Sequence, residues 1–155
     1  MSIERVRSYF EPLGLASRIK EFDVSSATVE LAATAVGCEG ARIAKSLSFS
    51  LGDGAIVVVV AGDVKIDNQK YKHTFGAKAR MLQHEDVERL IGHAVGGVCP
   101  FAVNDGVRIF LDESLRRFET VFPAAGSACS AIELTVSELE KYSGYEAWVD
   151  VCKPI

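Results

Sequence analysis

The feature that most constrains the fold is a run of β-branched residues in the middle of the chain. Residues 55–61 read Ala-Ile-Val-Val-Val-Val-Ala, which is typical of a strand covered by other elements on both faces. The preceding residues, 45–51, alternate serine with Leu47, Phe49 and Leu51, which predicts a half-buried strand. Because residues 52–54 read Gly-Asp-Gly, a turn sequence, the two segments are predicted to form a hairpin.

Further helices and strands are predicted on both sides of this hairpin. Apolar periodicity and helix-start residues predict helices at residues 2–13, 29–37, 67–76, 84–91 and 136–142. Ser25 or Ser26 is the expected N-cap of the second helix. Short strands are predicted at residues 19–24, 107–112, 120–124, 131–136 and 146–151. Since strands mostly follow one another rather than alternate with helices, the predicted fold class is α+β with a mixed, barrel-like sheet.

Composition restricts the classes of protein that fit. The chain has 155 residues, 48% of them hydrophobic and 25% charged, which suits one domain with its own core. The net charge of −4 argues against wholesale coating of nucleic acid but permits a local basic patch. The longest apolar run, residues 55–61, is far shorter than the ~20 residues of a membrane helix. The charged start of the chain shows no secretory segment, so a cytoplasmic location is expected.

The cysteines and histidines do not have the spacing of a metal site. The four cysteines contain no C-x-x-C pair, and they are Cys38, Cys99, Cys129 and Cys152. Reduced thiols are expected, and neither a metal nor a cofactor is predicted. Cys99 follows His93 by six residues and is therefore either a thiol nucleophile with a histidine base or a buried structural thiol.

Two features could meet a ligand. Lys45 follows residues 41–44, which are apolar except for Arg42, at the start of a predicted strand. A lysine there either holds its ammonium in a cleft, where a partly desolvated cation binds phosphate or developing negative charge strongly, or extends over the surface. Residues 92–101 contain three glycines and Pro100, which predicts either a loop whose backbone N–H groups approach a ligand or a plain turn.

Two further segments have the same ambiguity. The small residues 126–130 form either a pocket wall or an empty turn. Residues 65–80 carry five basic side chains against the single acid Asp67, so they form either a surface that meets phosphates or a solvated helix face. The five basic residues are Lys65, Lys70, Lys72, Lys78 and Arg80.

In their order and spacing, these segments resemble the YbaK / prolyl-tRNA synthetase-associated editing domain family over nearly the whole chain. The resemblance rests on Ala-Lys-Ser-Leu at 44–47, the strand and Ala-Gly-Asp at 56–63, Val-Gly-Gly-Val-Cys-Pro-Phe at 95–101 and Ser-Ala-Cys-Ser-Ala-Ile-Glu-Leu at 127–134. It implies one editing domain over residues 1–155, with a barrel-like mixed sheet surrounded by helices. It also implies hydrolysis of the ester in a mischarged tRNA, tRNA-Pro or a related one, that carries a small amino acid such as Cys, Ala, Ser or Thr.

The resemblance suggests roles for single residues. Lys45 corresponds to the functional lysine of the family, and Gly96 and Pro100 bound its substrate loop. The backbone N–H groups of Gly96, Gly97 and Val98 are expected to bind the oxyanion. Substrate contacts are expected from Pro100, Ser46, Ser127, Cys129 and Ser130. The five basic residues would face the tRNA backbone, and a synthetase is a further expected partner. The alternative is a non-catalytic module that binds an aminoacyl-nucleotide or another small ligand and acts with a synthetase.

Overall fold

The computed structural model describes residues 2–155, with side chains from Ile3 onward. Over these residues five α-helices are present: α1 Ser2–Phe10, α2 Val29–Val36, α3 Asn68–Phe75, α4 His84–Ile91 and α5 Val136–Ser143. The strands are β1 Ile19–Glu21, β2 Ile43–Leu51, β3 Gly54–Ala61, β4 Val64–Ile66, β5 Arg108–Asp112, β6 Thr120–Pro123, β7 Ser130–Ile132, β8 Leu134–Thr135, β9 Ala147–Val149 and β10 Cys152–Pro154. No helix in this part of the chain combines the length and the apolar character needed to cross a membrane.

The predicted hairpin is confirmed and forms the centre of the sheet. β2 and β3 pair antiparallel from Ala44 opposite Ala61 to Leu51 opposite Gly54. The side chains of β3 from Val57 to Val60 are fully buried, as expected for a β-branched strand covered on both faces. The hairpin therefore fixes the position of Lys45, which lies opposite Val60.

The six-stranded sheet has the order β8-β6-β2-β3-β5-β9. The β2–β6, β3–β5 and β5–β9 pairs are parallel, whereas β2–β3 and β6–β8 are antiparallel. Two separate ribbons, β1–β7 and β4–β10, complete the strand pairing. This mixed, curled sheet with helices around it confirms the predicted α+β fold class.

Aromatic side chains of α3 attach this helix to the sheet. The Tyr71 ring lies 5.0 Å from the Phe49 ring of β2 and 4.7 Å from the Phe75 ring. Phe75 in turn packs 5.0 Å from Phe110 of β5. Centroid distances of this size are favourable for aromatic pairs, and the packing explains why the short, mostly polar α3 is stable.

Several predicted boundaries are wrong: the first helix ends at Phe10 instead of residue 13, and the first strand ends at Glu21 instead of residue 24. Two further differences have a clear physical reason. Residues 131–136 were expected to form one strand, but β7 pairs with β1 while β8 pairs with β6. The two strands separate at Glu133, whose carboxylate accepts a hydrogen bond from the Thr120 hydroxyl at 2.8 Å. The N-cap of α2 is Thr28, whose Oγ1 accepts from the Leu31 N–H, rather than Ser25 or Ser26. Ser26 instead donates its N–H to the Ala128 carbonyl at 2.6 Å, which ties the chain before α2 to the small-residue segment.

Candidate active site

A cavity of about 490 Å³ opens where the sheet divides along one edge of β2. At the start of this edge Ile43 and Ala44 pair with β6. Further along it, Leu82 donates its N–H to the Ser48 carbonyl at 3.1 Å. Ser46 lies between these two pairings, and its backbone N–H and C=O point into the gap, because alternate residues of an antiparallel strand direct both groups to the same side.

The cavity wall is largely apolar, with a few hydroxyl groups and two basic side chains. Its apolar residues are Ala27, Val29, Ala32, Ile43, Ala44, Leu47, Met81, Leu82, Val87, Val95, Val98, Phe122, Ala124 and Ala131. Its polar side chains are those of Ser26, Thr28, Lys45, Ser46, Ser48, His84 and Ser130. None of these described lining residues is Asp or Glu, so an anion entering the cavity meets no repelling carboxylate in its wall.

Lys45 lines the cavity and is half-buried. Its Nζ donates a hydrogen bond of 2.6 Å to the Val64 carbonyl. Burial lowers the pKa of Lys45, although the negative charges of Asp63 and Glu30 act in the opposite sense. A partly desolvated ammonium attracts an anion more strongly than one in bulk water, so this end of the cavity suits a phosphate or a developing negative charge.

Residues 95–98, here called the amide loop, contribute Val95, Gly96 and Val98 to the cavity wall. Gly96 has a φ of +89°, a conformation that favours glycine. A Cβ at Gly97 would lie 2.5 Å from the Ser127 nitrogen and 2.6 Å from the Gly126 carbonyl carbon. Only a residue without a side chain allows this approach, so the two glycines place the amide loop directly against the small-residue segment.

The hydrogen bonds of the amide loop correct one prediction. The Gly97 N–H donates to the Ala94 carbonyl at 2.9 Å, so it is not free to bind an oxyanion. Within the described chain, the N–H groups of Gly96 and Val98 donate to no backbone carbonyl. Both of these residues line the cavity, whereas Gly97 does not. Two amides of cavity-lining residues, rather than the expected three, are therefore without a backbone acceptor in the described chain.

The structure separates the remaining predicted substrate residues into two groups. Ser46 and Ser130 line the cavity, but Ser127, Cys129 and Pro100 do not. Ser127 donates from its Oγ to the Ser130 Oγ at 2.8 Å, so it helps to orient the Ser130 hydroxyl that lines the cavity. Pro100 is buried beneath the surface of the loop at residues 92–101. The Ser46 hydroxyl is buried and has no partner among the described residues, which leaves it available to a ligand.

Cys99 does not have the environment of a nucleophile. Complete burial raises the pKa of its thiol to about 12. His93 Nε2 lies 2.6 Å from the Phe101 carbonyl oxygen, which can only accept, so Nε2 carries a proton and cannot take one from Cys99 Sγ at 3.5 Å. Neither residue lines the cavity. The thiol-enzyme alternative therefore disagrees with the structure.

The predicted basic residues are exposed and lie outside the cavity wall. These residues are Lys65, Lys70, Lys72, Lys78 and Arg80. Lys70 is already engaged, since its Nζ binds the Asp150 carboxylate at 3.0 Å and the Cys152 carbonyl at 2.9 Å. Arg80 immediately precedes Met81 and Leu82, two residues of the cavity wall. The basic segment therefore reaches the rim of the cavity without entering it.

Sequence reasoning missed several residues that complete the cavity. Met81 and Val95 are exposed apolar residues on its rim, and Thr28 and Val29 bring the start of α2 to its wall. Met81 reaches this position through a bridge to Phe49, and the segment around Met81 carries no strand pattern of its own that would predict it. Among residues 2–155, no group of three or more His, Cys, Asp or Glu side chains is placed to hold a metal ion.

Comparison with known proteins gives a consistent set of matches. The profile of the aminoacyl-tRNA editing domain matches residues 23–142. The uncharacterized protein YwhH of Bacillus subtilis is 52% identical over 154 residues, which cover 99% of this chain and 98% of that protein. A proline–tRNA ligase of Bacillus cereus is 28% identical over 88 residues, 56% of this chain but 16% of the ligase. The crystal structure of a candidate trans-editing enzyme for prolyl tRNA synthetase superposes with a TM-score of 0.87 at 32% identity, covering 98% of this chain and 97% of that one.

Proposed function

The chain belongs to the aminoacyl-tRNA editing domain family, and from this premise we propose that it is a trans-acting deacylase that hydrolyses the ester bond of mischarged tRNA. The observation that carries the proposal is that Lys45, Gly96 and Val98 line one cavity, while the N–H groups of Gly96 and Val98 donate to no backbone carbonyl of the described residues. Residues 1–155 would form one editing domain, which would act in the cytoplasm, where charged tRNA is used.

The proposed mechanism uses the backbone of the amide loop for electrostatic stabilisation. A water oxygen attacks the ester carbonyl carbon, and the carbonyl oxygen becomes an oxyanion that accepts hydrogen bonds from the Gly96 and Val98 N–H groups. The bond from that carbon to the ribose 3′ oxygen then breaks, and the 3′ oxygen takes a proton. The described wall supplies no carboxylate for proton transfer, so the neighbouring ribose 2′-hydroxyl of the substrate would relay the proton from the water.

Lys45 would hold the substrate end that carries negative charge. Its ammonium is fixed by the Val64 carbonyl at 2.6 Å, so it presents a positioned cation to the terminal phosphate or ribose rather than a flexible one. Solvent weakens the interaction of a partly buried lysine with an anion less than it weakens that of an exposed lysine. Lys45 would therefore orient the ester carbonyl toward the amide loop.

The walls of the cavity would select the amino acid. The apolar side chains of Val29, Ile43 and Phe122 line it, and they favour a small uncharged side chain. A pocket separates substrates that differ by one methylene by only about 1–3 kcal/mol, which is why a second, hydrolytic selection is useful. The similarity to part of a proline–tRNA ligase supports tRNA-Pro as the carrier and a synthetase as a partner.

The test of the proposed function is a deacylation panel. tRNA-Pro charged separately with Ala, Cys, Ser, Thr and Pro is incubated with the protein, and ester loss is compared with spontaneous hydrolysis. We expect at least one small-residue ester to be lost more than tenfold faster than without protein, and the prolyl ester to be spared. If no ester is hydrolysed faster than spontaneously, the proposal is wrong.

The second candidate is a non-catalytic module that binds an aminoacyl-nucleotide. It is favoured by the absence of an acidic side chain among the described lining residues, because many hydrolases place a carboxylate beside the substrate. This alternative predicts saturable binding of a non-hydrolysable aminoacyl-adenosine together with unchanged ester lifetimes in the panel.

A further inference from the structure

Two lysines lie side by side on the ribbon formed by β4 and β10. Lys65 pairs directly with Lys153 in this antiparallel ribbon, and both side chains are exposed. Side chains of directly opposite residues have Cβ atoms roughly 4.5–5.5 Å apart, and like charges in this position destabilise the pair. Although the chain is acidic, with a net charge of −4, it therefore has two adjacent lysines in this ribbon whose mutual repulsion destabilises the strand pair.

The neighbouring carboxylates offset this lysine pair only in part: hydrogen bonds from the backbone N–H groups at the start of α3 lower the pKa of Asp67 most, and the charge of Lys153 contributes after them. Within the described residues, neither Lys65 nor Lys153 forms an ion pair with a carboxylate. Asp63 is engaged by Arg117 through two hydrogen bonds of 2.9 and 2.6 Å. Asp67 accepts the N–H groups that begin α3, at 3.0 and 3.1 Å. An external anion placed between the two ammonium groups would therefore relieve a repulsion that the neighbouring carboxylates offset only in part.

The ribbon also adjoins the candidate active site. Val64, which precedes Lys65, accepts the hydrogen bond from the ammonium of Lys45, a residue of the cavity wall. Consecutive Cα atoms are about 3.8 Å apart, so one short strand carries both the contact to the cavity lysine and the exposed lysine pair. The ribbon is therefore separated from the cavity lysine by a single hydrogen bond.

We propose that Lys65 and Lys153 together bind a backbone phosphate of the tRNA acceptor strand. This inference rests on the proposed function and extends it, since it assigns the RNA contact to a cross-strand pair rather than to the whole basic segment. Lys153 lies outside that segment and becomes part of the contact only through strand pairing. Lys70, by contrast, is already paired with Asp150.

The test compares two double variants with the same change in charge. Lys65→Gln/Lys153→Gln removes the lysine pair, and Lys20→Gln/Lys141→Gln removes two exposed lysines elsewhere. Values of kcat/KM are measured on mischarged tRNA and on an aminoacyl-adenosine ester, which lacks the phosphate. We expect the ratio of the two values to fall about tenfold in the ribbon variant only. The slope of log kcat/KM against log salt should become shallower by about 1, as expected when one phosphate contact is lost.

The outcomes separate this inference from the proposed function. An unchanged ratio in the ribbon variant, or an equal fall in the control, would overturn the inference while deacylation itself stands. If the wild-type protein hydrolyses neither substrate, the proposed function fails, and the inference is then judged by fluorescence anisotropy with an uncharged acceptor-stem RNA. Binding that is severalfold weaker in the ribbon variant than in the control supports the phosphate contact, and equal binding rejects it.

Discussion

At Lys45, one substitution separates the contribution of the positive charge from that of the packed aliphatic stem. Lys45→Met retains the aliphatic stem but removes the ammonium that donates to Val64. We expect kcat/KM for deacylation to fall at least ~100-fold, which corresponds to about 2.7 kcal/mol of transition-state stabilisation. The free energy of unfolding should change by less than ~1.5 kcal/mol, since one hydrogen bond is lost and a desolvation cost is relieved.

The measurements for Lys45 are single-turnover deacylation and urea unfolding of the same preparation. A rate equal to that of the wild-type protein would contradict the role given to the ammonium. Lys45→Arg is the matched charged control. It keeps the positive charge but changes its position, and should recover only part of the lost activity.

For Cys99, in contrast to Lys45, we expect substitution to leave the deacylation rate nearly unchanged. With a thiol pKa of about 12, only about one molecule in 10⁴ carries a thiolate at pH 8. Cys99→Ala should therefore keep deacylation within about twofold of wild type, with a loss of stability near 1 kcal/mol for the small cavity created. A folded Cys99→Ala protein that has lost more than 99% of its activity would restore the thiol mechanism.

At the scale of elements, the amide loop depends on a close backbone approach at Gly97. Gly97→Ala would place a Cβ 2.5 Å from the Ser127 nitrogen, so the loop or the small-residue segment must move. Gly54→Ala is the matched control, because its Cβ would meet nothing nearer than the Leu51 carbonyl at 4.0 Å.

For this pair of variants, thermal unfolding and deacylation are measured together. Gly97→Ala should destabilise the protein by roughly 2 kcal/mol or more, as overpacking does, and reduce kcat at least tenfold through displaced amides. Gly54→Ala should change each quantity by far less. Equal effects from both substitutions would show that the Gly97 approach is not needed for the site.

Local signals predicted some elements well, and tertiary pairing decided the others. The central hairpin and α4, which is terminated by Gly92, carry strong periodicity and stop signals of their own. β4 and β10 are three residues each and lack such a signal, since each exists only through pairing with the other. Residues 131–136 looked like one strand, but the two ends of the segment find different partners.

The site was predicted more by resemblance than by local chemistry. Spacing could not show that Lys45 and Gly96 line one cavity, because they are far apart in sequence and meet only after the sheet has formed. The sequence likewise could not show that the Gly97 N–H is already hydrogen-bonded, because its bond to the Ala94 carbonyl depends on the turn geometry. The exclusion of Cys99 required its burial and the hydrogen bond of His93.

For the whole molecule, His93 makes stability depend on pH. Burial lowers the pKa of His93 below its ordinary value of 6.5, and the charge of Arg5 adds to this effect. Above pH 6.5 both folded and unfolded chains hold a neutral imidazole, whereas below it the unfolded chain binds a proton first. Stability is therefore complete above pH 6.5 and is lost as pH falls, by at most ~1.4 kcal/mol per pH unit.

Urea unfolding at pH 7.5, 6.5, 5.5 and 5.0 measures this dependence. Groups such as Glu138, whose carboxyl pKa lies below its usual 4.5, lose their contribution only at lower pH, so this window isolates His93. His93→Phe should be less stable at pH 7.5, because the Phe101 carbonyl loses its donor, and should show a flatter pH slope. The same slope in both proteins would contradict a buried neutral imidazole.

The most direct test of the central claim is an amide titration by NMR with an aminoalkylphosphonate ester of adenosine, whose tetrahedral oxygens imitate the oxyanion. The account predicts that the Gly96 and Val98 amide resonances move downfield on binding, while the Gly97 amide, which is bonded to Ala94, moves far less. It also predicts that Lys45→Met weakens binding. Tight binding that leaves the Gly96 and Val98 amides unshifted would contradict the account.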